Sequence, residues 1–380
     1  MAQRVKTDWV LFSTIVLLIS FGLLMVWSAS SVMAEIRYGS SFHFLVRQLA
    51  WAIGSFAVLM YLKDRDYRRF QDPAWAFTLL GVNLMLLGAV YFLDPRQHRW
   101  FRLGGIGSLQ PSEFAKPALV VFLAYFITRR TDRINDQRTL RQAGLVLVSL
   151  SILVGIADLG TAIVLALTAA VVLYVAGLDR RYCIAALAAG IVFTGVLIVS
   201  KPYRLARIIG KFDPNYTLLD KIDPKGHIKN YANESITTRD ASYQPKQSRI
   251  AVGSGGVLGL GPMEGRQKLL YLPEAHTDYI YAVVGEETGM VGCLLILGAF
   301  LVLIVRGVRV FLHAPDDFGR YLALGVTVCI GLQALINISV VLDLGPSKGI
   351  PLPMISFGGS SLLGTLVSLG LLLSVSERSG

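Results

Sequence analysis

Ionisable side chains interrupt the long apolar stretches of this 380-residue sequence, and each of them is a candidate functional residue. An ionisable side chain at membrane depth is costly unless it is paired or hydrated. The ionisable residues within or beside apolar stretches are Arg47, Glu113, Lys116, Asp158, Glu286, Glu287 and Asp343. Glu113 and Lys116 lie one helical turn apart and therefore share a face. They form either a structural ion pair or part of a ligand site.

The other candidates each have a simpler structural role beside a functional one. Asp158 precedes a Leu-Gly-Thr sequence, which is typical of a helix N-cap, so capping is its minimum role. Arg47 either extends its charge toward the membrane interface or faces a ligand. Glu286 is predicted to line a cavity, because it and its neighbour Glu287 cannot both face the interior.

Three apolar stretches begin with polar residues that suit anion binding. These entries are residues 110–113 (Gln-Pro-Ser-Glu), 158–161 (Asp-Leu-Gly-Thr) and 276–278 (His-Thr-Asp). Helix N-termini offer unpaired N–H groups and the positive end of the helix dipole. Together with nearby Lys and Arg they predict a basic-rimmed cavity on the outer side. A lipid-linked phosphate fits that cavity better than a sugar alone or a metal ion alone.

The composition identifies the elements that must position these residues. Hydrophobic residues make up 54% of the chain and charged residues only 16%, against roughly 25% charged in an average globular protein. Ten stretches are long and apolar enough for a spanning helix. They are residues 9–30, 44–62, 74–93, 113–128, 143–157, 161–178, 182–200, 279–308, 321–342 and 361–376. The predicted fold is therefore an all-α polytopic membrane protein, with residues 1–380 as a single integral-membrane domain.

The basic residues predict an orientation rather than a nucleic-acid partner. The net charge of +11 arises from 36 Lys and Arg against 25 Asp and Glu. Most basic residues in short connections fall on one side of the ten predicted spans, and such residues favour the cytoplasmic side. Both termini are thus predicted to be cytoplasmic. Residues 201–277 then form one long extracytoplasmic loop between the seventh and eighth spans.

Several functional classes are excluded by missing signatures. The sequence contains no P-loop, no His-Glu-x-x-His, no Gly-x-Ser-x-Gly and no Cys-x-x-Cys motif. The glycine-rich run at 253–265 lacks the strand–turn–helix context of a nucleotide-binding loop. Cys183, Cys293 and Cys329 lie in apolar stretches and show no ligand spacing. We therefore expect no nucleotide, haem or flavin.

Four motifs, in order along the chain, resemble those of the SEDS family (shape, elongation, division and sporulation proteins). They are residues 110–116 (Gln-Pro-Ser-Glu-Phe-Ala-Lys), 247–256 (Gln-Ser-Arg-Ile-Ala-Val-Gly-Ser-Gly-Gly), 271–280 (Tyr-Leu-Pro-Glu-Ala-His-Thr-Asp-Tyr-Ile) with 285–287 (Gly-Glu-Glu), and 348–361 (Lys-Gly-Ile-Pro-Leu-Pro-Met-Ile-Ser-Phe-Gly-Gly-Ser-Ser). Such long ordered motifs are specific. Residues 346–349 (Pro-Ser-Lys-Gly) resemble the division branch, FtsW, more than the elongation branch, RodA.

The resemblance implies a peptidoglycan glycosyltransferase that polymerises lipid II into glycan strands and releases undecaprenyl pyrophosphate. It implies a bacterial inner-membrane location at the division septum. The implied partners are a class B penicillin-binding protein (an FtsI-like transpeptidase) and other divisome membrane proteins. It also implies a divalent cation, Mg²⁺ or Mn²⁺, for which the sequence shows no ligand set.

Asp278 is the residue to which the resemblance assigns catalysis. Joining a sugar hydroxyl to an anomeric carbon needs a positioned carboxylate as general base, and the departing diphosphate needs cations where charge develops. Asp278 also precedes a predicted helix, so an N-cap role is compatible. The candidate contacts to substrate or diphosphate are Arg47, Glu113, Lys116, His276, Thr277, Lys348 and Ser356.

Two departures from the family pattern and three alternative functions accompany this interpretation. Ile156 and Ala157 stand where the family usually has Gln-Pro, and residues 222–242 form a longer segment than usual. A lipid II transporter, a purely structural divisome scaffold and a RodA-type elongation polymerase are the alternatives.

Overall fold

The computed structural model describes residues 7–94, 98–102, 108–200, 204–205, 209, 223, 227–228, 243–269, 271–345 and 349–379. Its α-helices are α1 (Trp9–Tyr38), α2 (His43–Asp64), α3 (Pro73–Leu93), α4 (Pro111–Thr128), α5 (Gln137–Ala157), α6 (Leu159–Val175), α7 (Arg180–Val199), α8 (Tyr243–Ser254), α9 (Ile280–His313), α10 (Asp317–Val341) and α11 (Gly359–Ser376). Two short antiparallel strands, β1 (Phe101–Arg102) and β2 (Ser108–Leu109), form a hairpin before α4. The predicted all-α fold is confirmed.

Each of the ten predicted spans contains a helix. Eight helices are long and apolar enough to cross a membrane, counted among the described residues. The other two are α6, which is apolar but has 17 residues, and α4, which carries Glu113 and Lys116. Helix α4 is buried along nearly its whole length, whereas α6 buries one face and exposes Val171, Tyr174 and Val175 on the other. The chain is a multi-pass membrane protein.

Helices α4, α10 and α11 are the most buried of the bundle, and glycines of α11 bring it close to α2 and α4. A Cβ atom added at Gly370 of α11 would lie 3.0 Å from the Leu59 carbonyl oxygen of α2. One added at Gly364 would lie 2.8 Å from the Glu113 carbonyl oxygen of α4. Small residues allow helix backbones to approach this closely within a membrane. By contrast, α7 lies at the edge against α6 and buries none of its residues.

Helix α9 is broken at Gly289, and the glycine-rich run fills the break. Gly289 has φ 65° and ψ −162°, which interrupts the helical hydrogen bonds. The freed backbone groups bond instead to the run: the Met290 N–H donates to the Gly256 carbonyl at 3.0 Å, and the Glu286 carbonyl accepts from the Leu260 N–H at 2.9 Å. Irregular backbone within a membrane protein needs such internal partners. The glycine-rich run therefore supplies the hydrogen-bond partners that α9 lacks at its break.

The long segment before α9 contains a helix that the sequence analysis did not predict. Helix α8 buries Pro245, Ser248 and Ala251 against α9 and α10. The Ser248 hydroxyl donates to the Val341 carbonyl at 2.7 Å. Most of residues 201–242, including nearly all of the predicted 222–242 insertion, lie outside the described residues.

The bundle has two ends with different chemistry. At the terminal end, where α1 and α10 begin and α2, α9 and α11 end, ion pairs join the helices. Lys63 lies 2.6 Å from Glu377, and Arg306 lies 2.6 Å from Asp8. At the opposite end, here called the site end, α2, α4, α9 and α11 begin and α10 ends.

Candidate functional site

Residues 276–278 at the site end are held through their main-chain carbonyl groups. The His276 carbonyl accepts from the Phe357 N–H at 2.9 Å. The Thr277 carbonyl accepts from the Ser356 hydroxyl at 2.5 Å, and the Asp278 carbonyl accepts from the Asn337 side-chain amide at 2.8 Å. Three successive carbonyls thus have donors from α10 and from the segment before α11. This arrangement fixes the position of the Asp278 backbone before any substrate binds.

The donors at Ser356 and Phe357 belong to a segment, residues 349–358, that is itself held from two sides. The Ser356 hydroxyl accepts from the Leu352 N–H at 2.8 Å. The buried Gln48 amide of α2 donates to the Ser356 carbonyl at 3.3 Å and accepts from the Gly358 N–H at 3.1 Å. One neutral side chain of α2 therefore aligns the segment that carries the donors to residues 276–278.

Gly349 lies directly against the carboxyl group of Asp278. A Cβ atom added at Gly349 would be 1.9 Å from Asp278 Oδ2, far inside van der Waals contact. Asp278 is half-buried, so its carboxyl group faces this backbone and remains partly accessible. The N-cap position of α9 is occupied by Tyr279. The predicted capping role of Asp278 on that helix is therefore wrong by one residue.

His276 is an aromatic contact in this structure rather than a cation. Its ring is buried, with centroids 4.9 Å from the Phe44 ring and 5.6 Å from the Phe357 ring. Burial lowers the pKa of the His276 imidazole, Glu274 raises it and Arg37 lowers it, with a net decrease. The ring is therefore neutral at neutral pH and contributes shape to the site.

Glu113 and Lys116 form a buried ion pair that also reaches the 349–358 segment. Lys116 Nζ lies 2.6 Å from Glu113 Oε2 and 2.7 Å from Gln333 Oε1. The Gln333 amide then donates to the Pro351 carbonyl at 2.8 Å. The pair thus supports the site through α10.

Asp158 caps α6 next to the same segment. Its carboxylate accepts from the Gly160 N–H at 3.0 Å and from the guanidinium of Arg99 at 2.9 Å. A Cβ atom at Gly160 would lie 2.6 Å from the Ile350 side chain. The start of α6 therefore packs against residue 350, and a side chain on Gly160 would push that residue away.

Three predicted site residues are not brought into this arrangement. Glu286 accepts the Arg266 N–H at 2.8 Å, just after the glycine-rich run. Glu286 and Glu287 are both buried, so the prediction that only one of them faces the interior is wrong. Arg47 lies beside Gln48 on α2, is partly exposed and makes no ion pair within the described residues. Lys348 lies outside the described residues.

Sequence reasoning missed the neutral residues of the site, namely Gln48, Gln333, Asn337 and Gly349. A signal for the three amides was present, because an uncharged polar side chain in an apolar helix also needs internal partners. The candidates predicted from the sequence are ionisable groups together with the hydroxyl groups of Thr277 and Ser356. Gly349 had no such signal, since its role depends on a residue 71 positions away in the chain, at Asp278.

The described residues do not by themselves form a metal site. Among them, no group of three or more His, Cys, Asp or Glu side chains is placed to hold a metal ion. Near residues 276–278, Asp278 and Glu274 each offer one carboxylate, and Glu274 Oε2 accepts from the Thr277 hydroxyl at 2.9 Å. Hard cations commonly bind through one or two carboxylates together with substrate phosphates. A divalent cation here would therefore depend on the substrate for most of its ligands.

Comparison with known proteins identifies relatives over the whole chain. The family described as "Cell cycle protein" (FtsW/RodA/SpoVE) matches residues 8–380. A protein of Geobacter sulfurreducens named "Probable peptidoglycan glycosyltransferase FtsW" is 38% identical over 98% of this chain and 96% of its own. Stage V sporulation protein E of Bacillus subtilis is 35% identical over 99% of each chain.

The fold also matches a solved structure over its full length. That structure is described as "Structural coordination of polymerization and crosslinking by a peptidoglycan synthase complex". Its matching chain has a TM-score of 0.74 and 26% identity, with 98% of each chain covered. The motifs, the helical bundle and these matches agree, and the chain belongs to the FtsW/RodA/SpoVE family.

Proposed function

We propose that this protein is a peptidoglycan glycosyltransferase that polymerises lipid II during cell division. The names of its relatives support the reaction class. The observation that carries the proposal is the half-buried residue Asp278, whose carboxyl group lies against Gly349. Its backbone is held by hydrogen bonds donated to the carbonyls of residues 276–278. Such preorganisation is what a general base requires.

The proposed step is a single displacement at an anomeric carbon. Asp278 accepts the proton of the attacking sugar 4-hydroxyl as its oxygen forms the new bond to that carbon. The bond from the same carbon to the lipid diphosphate breaks, and undecaprenyl pyrophosphate leaves with the electron pair. One protein carboxylate is sufficient, because inversion involves no covalent intermediate.

Cationic groups are needed where negative charge develops on the leaving diphosphate. Because Lys116 already contacts Glu113 and Gln333, we assign it to support of the 349–358 segment. Arg47 and Lys348 are the proposed diphosphate contacts. A divalent cation carried by the diphosphate would neutralise part of that charge.

The setting of the reaction is proposed from the relatives. We propose a location in the bacterial cytoplasmic membrane at the septum, with both termini cytoplasmic. A class B penicillin-binding protein is the proposed partner, and the solved relative described as a peptidoglycan synthase complex supports it. Other divisome membrane proteins are further proposed partners.

Polymerisation of fluorescent lipid II by purified protein, with and without a class B penicillin-binding protein, tests the proposal. We expect glycan strands from the wild type and none from Asp278→Ala. A matched control is Asp317→Asn, which removes an exposed carboxylate at the terminal end that pairs with Arg320. It should polymerise normally.

The same variants distinguish the alternative functions. Full polymerisation by Asp278→Ala would contradict the role of this residue. Movement of labelled lipid II across vesicle membranes without strand formation would instead identify a transporter. Normal growth of cells that carry only Asp278→Ala would identify a scaffold. The polymerisation and vesicle assays use variants that remain folded and monodisperse after purification.

A further inference from the structure

Asn337 connects a spanning helix to both sides of the contact between Gly349 and Asp278. Its side-chain amide donates to the Asp278 carbonyl at 2.8 Å and to the Ile350 carbonyl at 2.6 Å. Ile350 directly follows Gly349, whose backbone touches the Asp278 carboxyl group. A single amide group thus sets the distance between the two chain segments that form this contact.

The orientation of the Asn337 amide is determined by its neighbours. Two carbonyl oxygens accept from it, so its NH₂ group and not its oxygen must face them. Its oxygen is buried and has no hydrogen-bond partner among the described residues. A buried acceptor without a partner is destabilising, and an apolar side chain would avoid that cost but would leave the Asp278 and Ile350 carbonyls without this donor. The benefit of asparagine at 337 therefore lies in those two bonds.

The two other donors to residues 276–278 do not come from a spanning helix. Ser356 and Phe357 belong to the segment before α11, whereas Asn337 lies in the last turns of α10 and is 1% exposed. The side-chain amide of Gln333, one turn earlier on α10, donates to the neighbouring Pro351 carbonyl at 2.8 Å. Helix α10 is thus the spanning helix that anchors the Asp278 backbone, through Asn337.

We propose that Asn337 is a positioning residue, which acts through Asp278 by fixing its backbone against Gly349 and does not touch the substrate. This inference rests on the proposed function, because it assumes that Asp278 is the general base. A displacement of about 1 Å at a reacting group can lower a rate about 100-fold. Loss of positioning should therefore lower kcat and leave substrate binding intact.

The first experiment measures lipid II polymerisation by Asn337→Leu, which has a similar size and no donor. We expect kcat to fall about 10- to 100-fold with KM within about twofold of the wild type, since no substrate contact is removed. The matched control is Ser339→Ala, on the same helix, whose hydroxyl donates only to the Leu335 carbonyl within α10. It should retain the wild-type kcat and KM.

A pH profile of Asn337→Asp separates positioning from a general structural role. The introduced carboxyl group can donate a hydrogen bond only when it is protonated. The ratio of variant to wild-type kcat should therefore rise as the pH falls, although the wild-type rate itself falls as Asp278 becomes protonated. A ratio that is constant over pH would overturn the inference, and it decides the question alone if Asn337→Leu does not fold.

The remaining outcomes distinguish this inference from the proposed function. If Asp278→Ala is inactive and Asn337→Leu keeps the wild-type kcat, the positioning role is wrong and the proposed function stands. If Asn337→Leu lowers kcat and the unfolding temperature while Asn337→Asp shows no pH effect, Asn337 is structural only. If Asp278→Ala polymerises normally, the proposed base is wrong and the inference fails with it.

Discussion

The two ends of the bundle are held together by different kinds of interaction. At the terminal end, Asp316 accepts from the Tyr67 hydroxyl at 2.6 Å and from the Arg68 guanidinium at 2.9 Å. At the site end, the neutral amides of Gln48 and Asn337 bind main-chain carbonyls. One end is joined by charges that respond to pH and salt. At the site end, residues 276–278 and the 349–358 segment are held to each other by neutral groups, and the ion pairs Glu113–Lys116 and Asp158–Arg99 lie around them.

The proposed function, in which Asp278 is the general base, gives a reason for this difference. A general base needs a carboxyl group whose basicity is preserved, and an opposite charge placed against it lowers its pKa. Neutral amides that bind the main chain fix the position of Asp278 and add no charge beside it. The terminal end carries no such constraint, because its ion pairs only join helices.

The buried ion pair of α4 tests the limits of this contrast, since it places charges at the site end. Lys116→Met leaves the Glu113 carboxylate buried without its cation, and breaking a buried pair costs about 3–5 kcal/mol. We expect a strongly lowered unfolding temperature in detergent and reduced polymerisation. The double variant Glu113→Gln with Lys116→Met removes both charges and should recover most of the stability. Equal stability of the single and double variants would show that the pair does not matter as a pair.

Gly349→Ala tests the geometry of the site end without altering any charge. The new methyl group would lie 1.9 Å from Asp278 Oδ2, so the carboxyl group must move. We expect kcat for lipid II polymerisation to fall about 100-fold and the unfolding temperature to change little.

The control for that variant is Gly54→Ala on α2, whose added methyl group meets no atom within 4 Å. It should keep wild-type activity and stability. Wild-type polymerisation by Gly349→Ala would show that the carboxyl group is not confined by the 349–358 segment. It would also weaken the contrast between the two ends.

The sequence predicted the spans well and the fine structure of the site poorly, for a physical reason. A spanning helix depends on about 20 consecutive apolar residues, which is a local property. The positions of Asn337 and Gly349 relative to Asp278 depend on how distant segments pack, and no local pattern records that. Asp278 was identified as part of a polar entry to a predicted span, and the resemblance to the family assigned it the catalytic role.

The break in α9 and the presence of α8 were missed for related reasons. Gly289 lies inside the predicted span 279–308, and glycine is common in membrane helices. Its break is stabilised by a glycine-rich run about 30 residues earlier, near Gly259. Helix α8 is polar on most of its surface, so its sequence predicts a loop. Its helical structure depends on packing against α9 and α10.

Tyr67→Phe tests the terminal end and has the smallest expected effect. Burial raises the pKa of the Asp316 carboxyl group, but hydrogen bonds from Tyr67, the Gly319 N–H and Arg68 lower it more, so its pKa is below the ordinary value. A group with a lowered folded pKa stabilises the protein above its ordinary pKa, and that contribution is lost as the pH falls through the lowered value. Removing the Tyr67 hydroxyl should cost about 1.5 kcal/mol at neutral pH and leave kcat unchanged. The difference in unfolding temperature from the wild type should shrink below about pH 4.

Arg320→Gln, which breaks the exposed pair with Asp317, serves as the control and should cost under about 1 kcal/mol. A fall in kcat for Tyr67→Phe at unchanged stability would mean that the two ends are coupled, because a local loss at one end would then have reached the site.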